Sequence, residues 1–267
     1  MCKFDTPLDF DLSLRKEFDA FDDSVWVCNP SGLYITGAQL DGIKVLATPS
    51  TGTNHIDLNA CKRRGIKVLS LLDDRAGLET ISASAEWTFK LILDGLRLKR
   101  PYMELQDKWV GLVGYGRIGK KLHKYLAPHE TTLLIHDPHE YPGAELGDPF
   151  LSCDIVVICC SLTNETRGMV TLEHIASMNQ NAVLVNTARG EIVDELGLYD
   201  ALRLRPDIRY CTDVVHGEVE GRGDQSRRKL RELGALVTDH IAGDTFESRT
   251  KAARIILGLL KKEMGDG

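Results

Sequence analysis

Short β-branched runs separated by helix-length amphipathic stretches recur along this chain, and that alternation restricts it to an α/β architecture. The runs occupy residues 25–27, 43–47, 66–72, 110–113, 131–135, 154–159, 182–185, 208–212 and 235–238. Each is short and apolar enough to read as a buried strand. Between them lie stretches such as the one carrying Ile118, Leu122, Tyr125 and Leu126, which fall on one helical stripe. Strands that alternate with helices predict a doubly wound parallel sheet covered on both faces.

The spacing also predicts a division. Residues 84–98 read as a long helix leading into the strand at Val110. The segment from Phe246 to Met264 places Ala252, Ile255, Ile256, Leu259 and Leu260 on one face. The expected arrangement is a small domain over residues 1–82, completed by a C-terminal helical segment, 243–267, and a main-sheet domain over 83–242. With 267 residues, 43% of them hydrophobic, the chain is long enough for two ordinary cores.

The glycine turn at the head of the larger domain carries the first chemistry. Val110-Gly111-Leu112-Val113 runs into Gly114-Tyr115-Gly116-Arg117-Ile118-Gly119 and then into an amphipathic helix. This strand, turn and helix order is what dinucleotide binding requires: Gly114 for the tight turn, Gly116 for close backbone approach to a pyrophosphate, Gly119 for helix packing. The next strand ends in His136-Asp137-Pro138, which puts a carboxylate 18 residues past Gly119 (137 − 119), where it can meet the adenosine ribose hydroxyls. An acidic residue there repels a 2′-phosphate, so NAD is expected rather than NADP.

The second half supplies a different set. Arg189, Asp213 and His240 each follow an expected strand, and in an open parallel sheet ligands gather beyond the carboxyl ends of the strands. An Arg fork can pair with a carboxylate and polarise a keto oxygen, a His can exchange the hydroxyl proton, and a Glu beside it favours the imidazolium. Taken singly, each has an ordinary reading: a surface ion pair for Arg189, a loop carboxylate for Glu218, a core histidine for His240.

Taken together, the motifs resemble the D-isomer-specific 2-hydroxyacid dehydrogenases, and most closely their phosphoglycerate dehydrogenase-like branch. They are Gly52-Thr53-Asn54-His55-Ile56-Asp57-Leu58, Ser84-Ala85-Glu86, the glycine turn, Asn186-Thr187-Ala188-Arg189-Gly190-Glu191-Ile192-Val193-Asp194, Asp213-Val214-Val215-His216-Gly217-Glu218, and His240-Ile241-Ala242-Gly243. The resemblance implies an NAD-dependent oxidoreductase acting on a small 2-hydroxy or 2-keto acid, with a Rossmann-type NAD-binding domain over 83–242 and an N-terminally reduced, flavodoxin-like substrate domain over 1–82. It implies His240 as acid/base, Glu218 as its carboxylate partner and Arg189 as the substrate-binding and polarising residue. Asp213 would lie near the nicotinamide carboxamide, Arg117 and Ile118 over the pyrophosphate, with Thr187, Ala188 and Gly243 lining the cofactor cleft. The backbone at Thr51 and Gly52 would receive the substrate carboxylate, and a homodimer built through the cofactor domain is implied. The alternative on the same scaffold is a non-catalytic NAD-sensing or corepressor-type protein.

Several features fall outside that pattern. The first strand and helix are expected to be shortened or missing before Val25. Asp239 is expected to add a second carboxylate beside His240. The basic clusters Lys62-Arg63-Arg64 and Arg227-Arg228-Lys229 read as solvated helix faces, and a net charge of −6 gives no general attraction for nucleic acid or an anionic membrane. No apolar run reaches the roughly 20 residues of a membrane span, and the N-terminus is too acidic for a signal peptide, so a cytoplasmic protein is expected. Seven cysteines without a C-x-x-C spacing predict free thiols and no metal site.

Overall fold

The computed structural model describes residues 1–5, 10–28, 34–142 and 147–265. The last two residues of the expected 243–267 segment lie outside these. The chain divides into two compact units, one of Met1–Ile81, Val219–Gly221 and Gly243–Gly267, the other of Ser82–Glu218 and Arg222–Ala242.

The smaller unit is built on four parallel strands, β1 (Lys3–Phe4), β2 (Val25–Val27), β3 (Val45–Thr48) and β4 (Lys67–Ser70), in that spatial order. Its helices are α1 (Ser13–Phe18), α2 (Leu58–Arg63), α3 (Arg75–Glu79) and the terminal α10 (Phe246–Met264). Alternation along the strands sorts side chains to two faces. Val25, Val27, Val45 and Ala47 pack with Phe18, Leu78, Ile256 and Leu260, whereas Trp26 and Leu46 pack with Ile56, Ala60 and Cys61. The first strand and helix are therefore present in shortened form, β1 being two residues long and α1 six.

The larger unit opens with α4 (Ala83–Leu98) and continues through β5 (Trp109–Val113), α5 (Arg117–Leu126), β6 (Thr132–His136), α6 (Gly147–Ser152), β7 (Ile155–Ile158), α7 (Leu172–Ala176), β8 (Val183–Asn186), α8 (Glu195–Leu204), β9 (Arg209–Thr212), α9 (Gly223–Glu232) and β10 (Leu236–Val237). All six strands are parallel, in the order β10-β9-β8-β7-β5-β6. The chain winds from β5 to β6 on one side and then crosses back to β7 on the other. The carboxyl ends of β5 and β7 thus flank the switch point, where such sheets bind ligands.

Both faces of this sheet are covered, as near-continuous apolar strands require. Val156, Ile158 and Leu184 pack toward Ile175, Leu198 and Leu202, while Ile155, Val157, Val183 and Val185 pack toward Leu91, Ile92, Leu122 and Leu126. Helix α4 lies close to β8 and β9 because Gly95 has no side chain. A Cβ there would stand 2.5 Å from Val183 Cγ1 and 3.1 Å from Cys211 Sγ.

Two effects oppose each other in Gly95→Ala. Alanine gains up to ~1 kcal/mol of helix propensity, but overpacking a fully buried contact costs about 1–3 kcal/mol. Net destabilisation of about 1–2 kcal/mol is expected, read as a lower urea midpoint at unchanged slope. An unchanged or raised midpoint would show that the helix can back away from the sheet.

Candidate active site

The glycine turn follows β5 directly. Gly114 adopts φ +102°, and a Cβ on it would stand 2.6 Å from the Cys160 backbone nitrogen. Its N–H donates to His136 O at 2.8 Å, and its carbonyl accepts from the Cys159 thiol at 2.9 Å. Gly119 seats α5 on the turn, since a Cβ would lie 2.6 Å from Gly114 O. At Gly116 a Cβ would meet nothing within 4 Å, the residue is exposed, and no side chain caps the helix behind it. A backbone without a side chain at Gly116, followed by the positive end of the α5 dipole, is the arrangement that lets a phosphate approach closely.

Asp137 closes this cradle on one side. Its Oδ2 accepts from Tyr115 N at 2.7 Å and its Oδ1 from His139 N at 3.0 Å and Glu140 N at 3.3 Å. Burial acts to raise this carboxyl, but the three backbone donors outweigh it and hold Asp137 below the usual carboxylate range. An ionised carboxylate beside a glycine cradle fits a dinucleotide with a free ribose 2′-hydroxyl. Arg117 and Ile118 are half-buried at the start of α5, and Ile118 packs on the core.

Two further turns carry the polar groups. After β8, buried Asn186 clamps its own turn: Oδ1 accepts from Ala188 N at 3.0 Å and Nδ2 donates to Arg189 O at 2.9 Å. Thr88 on α4 donates to Ser84 O at 2.6 Å, so the 2.6 Å contact with Thr187 has Thr187 as donor. Arg189 is half-buried with Nη1 donating to Ala188 O at 2.7 Å. Burial lowers its proton affinity against the opposing pull of Glu218 and Glu191. Gly190 then brings this turn against the next one. A Cβ there would stand 2.1 Å from Val215 C.

The Val215 turn holds Glu218, whose Oε2 lies 2.7 Å from His240 Nδ1. As a carboxylate Glu218 only accepts, so Nδ1 carries the hydrogen and Nε2 is left to exchange protons. Glu218 Oε1 accepts from Val215 N at 3.2 Å and from Arg227 Nη2 at 2.5 Å. His240 itself sits at φ +57°, a backbone region that non-glycine residues enter only when their surroundings hold them there. Asp213, fully buried, does the holding. Its Oδ1 accepts from Thr238 Oγ1 at 2.5 Å and Ile241 N at 3.0 Å, and its Oδ2 from Ala242 N at 2.7 Å.

Arg189, Glu218 and His240 thus belong to one unit and adjoining turns. Thr51 and Gly52 belong to the other, at the carboxyl end of β3, where Gly52 N donates to Ser50 Oγ at 3.1 Å. Gly243 also belongs to the smaller unit, its carbonyl accepting from the Ser248 hydroxyl at the head of α10. Two expectations need correction. Asp239, expected beside the histidine, is paired with Arg231, at 3.0 Å, and lies 3.8 Å from Arg227. Arg227, read as part of a solvated face, is only 15% exposed and lies on Glu218. The signal for it was present, because Gly223, Ser226 and Leu230 form the buried stripe of α9 and Arg227 falls on the same face. Among the described residues no three His, Cys, Asp or Glu side chains converge as a metal site, and no helix is long and apolar enough to cross a membrane.

Comparison with known proteins decides the family. Residues 78–242 match the sequence model of the D-isomer specific 2-hydroxyacid dehydrogenase NAD binding domain. The chain belongs to that family. Its cofactor is NAD, and its class is that of NAD-dependent dehydrogenases acting on CH–OH donors. It is 31% identical to a hydroxypyruvate reductase of Thermotoga maritima, over 84% of this chain and 78% of the relative. It is 29% identical to a D-3-phosphoglycerate dehydrogenase of Archaeoglobus fulgidus, over 80% of this chain but 44% of the relative, so it spans less than half of that protein. The crystal structure of NAD⁺-bound 3-phosphoglycerate dehydrogenase from Entamoeba histolytica has the same fold, with TM-score 0.80 at 21% identity over 99% of this chain and 96% of that one.

The approach at Gly190 is steric rather than conformational, since its φ is not positive. Gly190→Ala is expected to force the Arg189 and Glu218 turns apart, costing about 1–3 kcal/mol and most of the turnover. The check is a melting curve together with steady-state turnover of NADH and a keto acid. Unimpaired turnover would mean that the two turns need not touch.

Proposed function

We propose that this protein interconverts a small D-2-hydroxy acid and its 2-keto acid, in the manner of the phosphoglycerate dehydrogenase-like branch, as a cytoplasmic homodimer. The observation that carries the reaction is the 2.7 Å contact of Glu218 with His240 Nδ1, on a turn that Gly190 presses against the turn bearing Arg189. When bound, NAD supplies the two-electron acceptor or, in its reduced form, the donor. The cradle of Gly114, Gly116 and Gly119, with Asp137 beside it, is the site for it, and Thr187, Ala188, Asp213 and Gly243 are further proposed contacts.

The chain's own groups account for the proton and the charge. In reduction, His240 as imidazolium gives the Nε2 proton to the forming hydroxyl oxygen, and in oxidation the neutral ring takes it back. Glu218 keeps the hydrogen on Nδ1 in both directions and compensates the imidazolium charge. Arg189 presents a planar cation suited to the substrate carboxylate and to the keto oxygen as it gains charge. Thr51 and Gly52, at the end of β3, are the proposed backbone contacts for the carboxylate.

NADH consumption against glyoxylate, hydroxypyruvate, pyruvate and 3-phosphohydroxypyruvate tests this reading. Turnover of at least one is expected, with Arg189→Lys losing roughly a hundredfold in kcat/KM, equivalent to ~2.7 kcal/mol, and little NADH affinity. NADH binding without turnover of any of the four would contradict this substrate reading and favour a cofactor-sensing role.

A further inference from the structure

Glu218 is shared. One oxygen serves His240, and the other is held by a cation that the reaction as described does not use. Arg227 Nη2 lies 2.5 Å from Glu218 Oε1, and the two side chains are 15% and 16% exposed. Removing water from both strengthens the pairing well beyond that of a surface ion pair. Gly223, one turn earlier on α9, makes the approach possible: a Cβ there would stand 3.0 Å from Arg227 Nη1 and 3.2 Å from Glu218 Cγ.

We propose that Arg227 is a positioning residue that draws charge from the Glu218 carboxylate and so weakens its hold on a proton at His240. The inference rests on the reading of His240 as the proton-exchanging group. A carboxylate facing an imidazole alone favours the imidazolium, which suits reduction but leaves no base for oxidation. A cation on the far oxygen weakens that preference. It also acts directly against a second positive charge nearby.

The other charged groups around this turn are placed differently: Glu191 accepts from Gly217 N at 3.3 Å and His216 lies 3.8 Å from Glu195. Arg231 and Asp239 pair with each other at 3.0 Å and are 50% and 73% exposed, so their effects largely cancel in solvent. Asp239 lies farther from Arg227, at 3.8 Å, and Asp224, at 3.5 Å, is 97% exposed. Asp213 spends both oxygens on Thr238 and the backbone of residues 241 and 242. Arg189, across Glu218, is the substrate cation and is present in every variant below. Val215 N and His240 still hold the Glu218 carboxylate when Arg227 is changed. What Arg227 adds is therefore charge more than geometry.

The test uses the full chain with Arg227→Met, Arg227→Gln and Arg227→Lys. In each, kcat/KM is measured against pH in both directions, and the His240 ring is followed by NMR with ring-labelled histidine, assigned through His240→Ala. The neutral variants are expected to move the alkaline limb of reduction and the acid limb of oxidation together to higher pH. The His240 ring transition should move with them, by roughly threefold or more in proton affinity. Arg227→Lys should return all three toward wild type. A merely structural Arg227 would lower stability and amplitude with the limbs unmoved. A ring transition that is unmoved or falls in the neutral variants overturns the proposal. The ring titration reads this even if no keto acid is turned over, so failure of the proposed reaction and failure of the Arg227 proposal are separable. Arg227→Gln, which keeps a donor for Glu218, carries the test if Arg227→Met does not fold.

Discussion

The contact between Glu218 and His240 Nδ1 is the constraint around which the carboxyl edge of the larger sheet is arranged. An imidazole 36% exposed at its side chain is otherwise free to rotate and to choose either tautomer. Fixing one nitrogen makes the other a proton donor or acceptor with a defined direction. That single bond requires two chain segments more than twenty residues apart to meet within hydrogen-bond distance, and the neighbouring turns are built to make them meet.

Two devices supply the meeting. Asp213, buried and with both oxygens engaged by Thr238, Ile241 and Ala242, holds the loop in which His240 occupies a left-handed backbone position. Such a position costs on the order of 1–3 kcal/mol, which these charge-assisted bonds offset. The missing side chain at Gly190 does the complementary work, since no other residue leaves room for the Arg189 turn against the Val215 carbonyl carbon.

Much of this was legible in the sequence because it repeats. The strands and long helices announce themselves by periodicity, and the observed bounds differ from the expected ones by only a few residues, as at β3, expected over 43–47 and found at Val45–Thr48. The glycine turn was legible because strand, glycines and helix are consecutive. By contrast, β1 is two residues long, too short to show any period. Contacts between distant segments leave no local trace: Arg227 read as part of a basic surface cluster, although its place on the buried stripe of α9 could have marked it. Asp239 shows the converse error. Adjacency to His240 suggested a shared environment, but the left-handed turn at that residue sends the two side chains to different partners.

The central claim is that Glu218 governs the protonation of His240, and the most direct test is kcat/KM for keto-acid reduction against pH in wild type and Glu218→Gln at matched ionic strength. The carboxamide keeps the shape but loses the charge that favours the imidazolium, so the alkaline limb should move to lower pH. An alkaline limb that stays in place, or moves upward, would contradict the account.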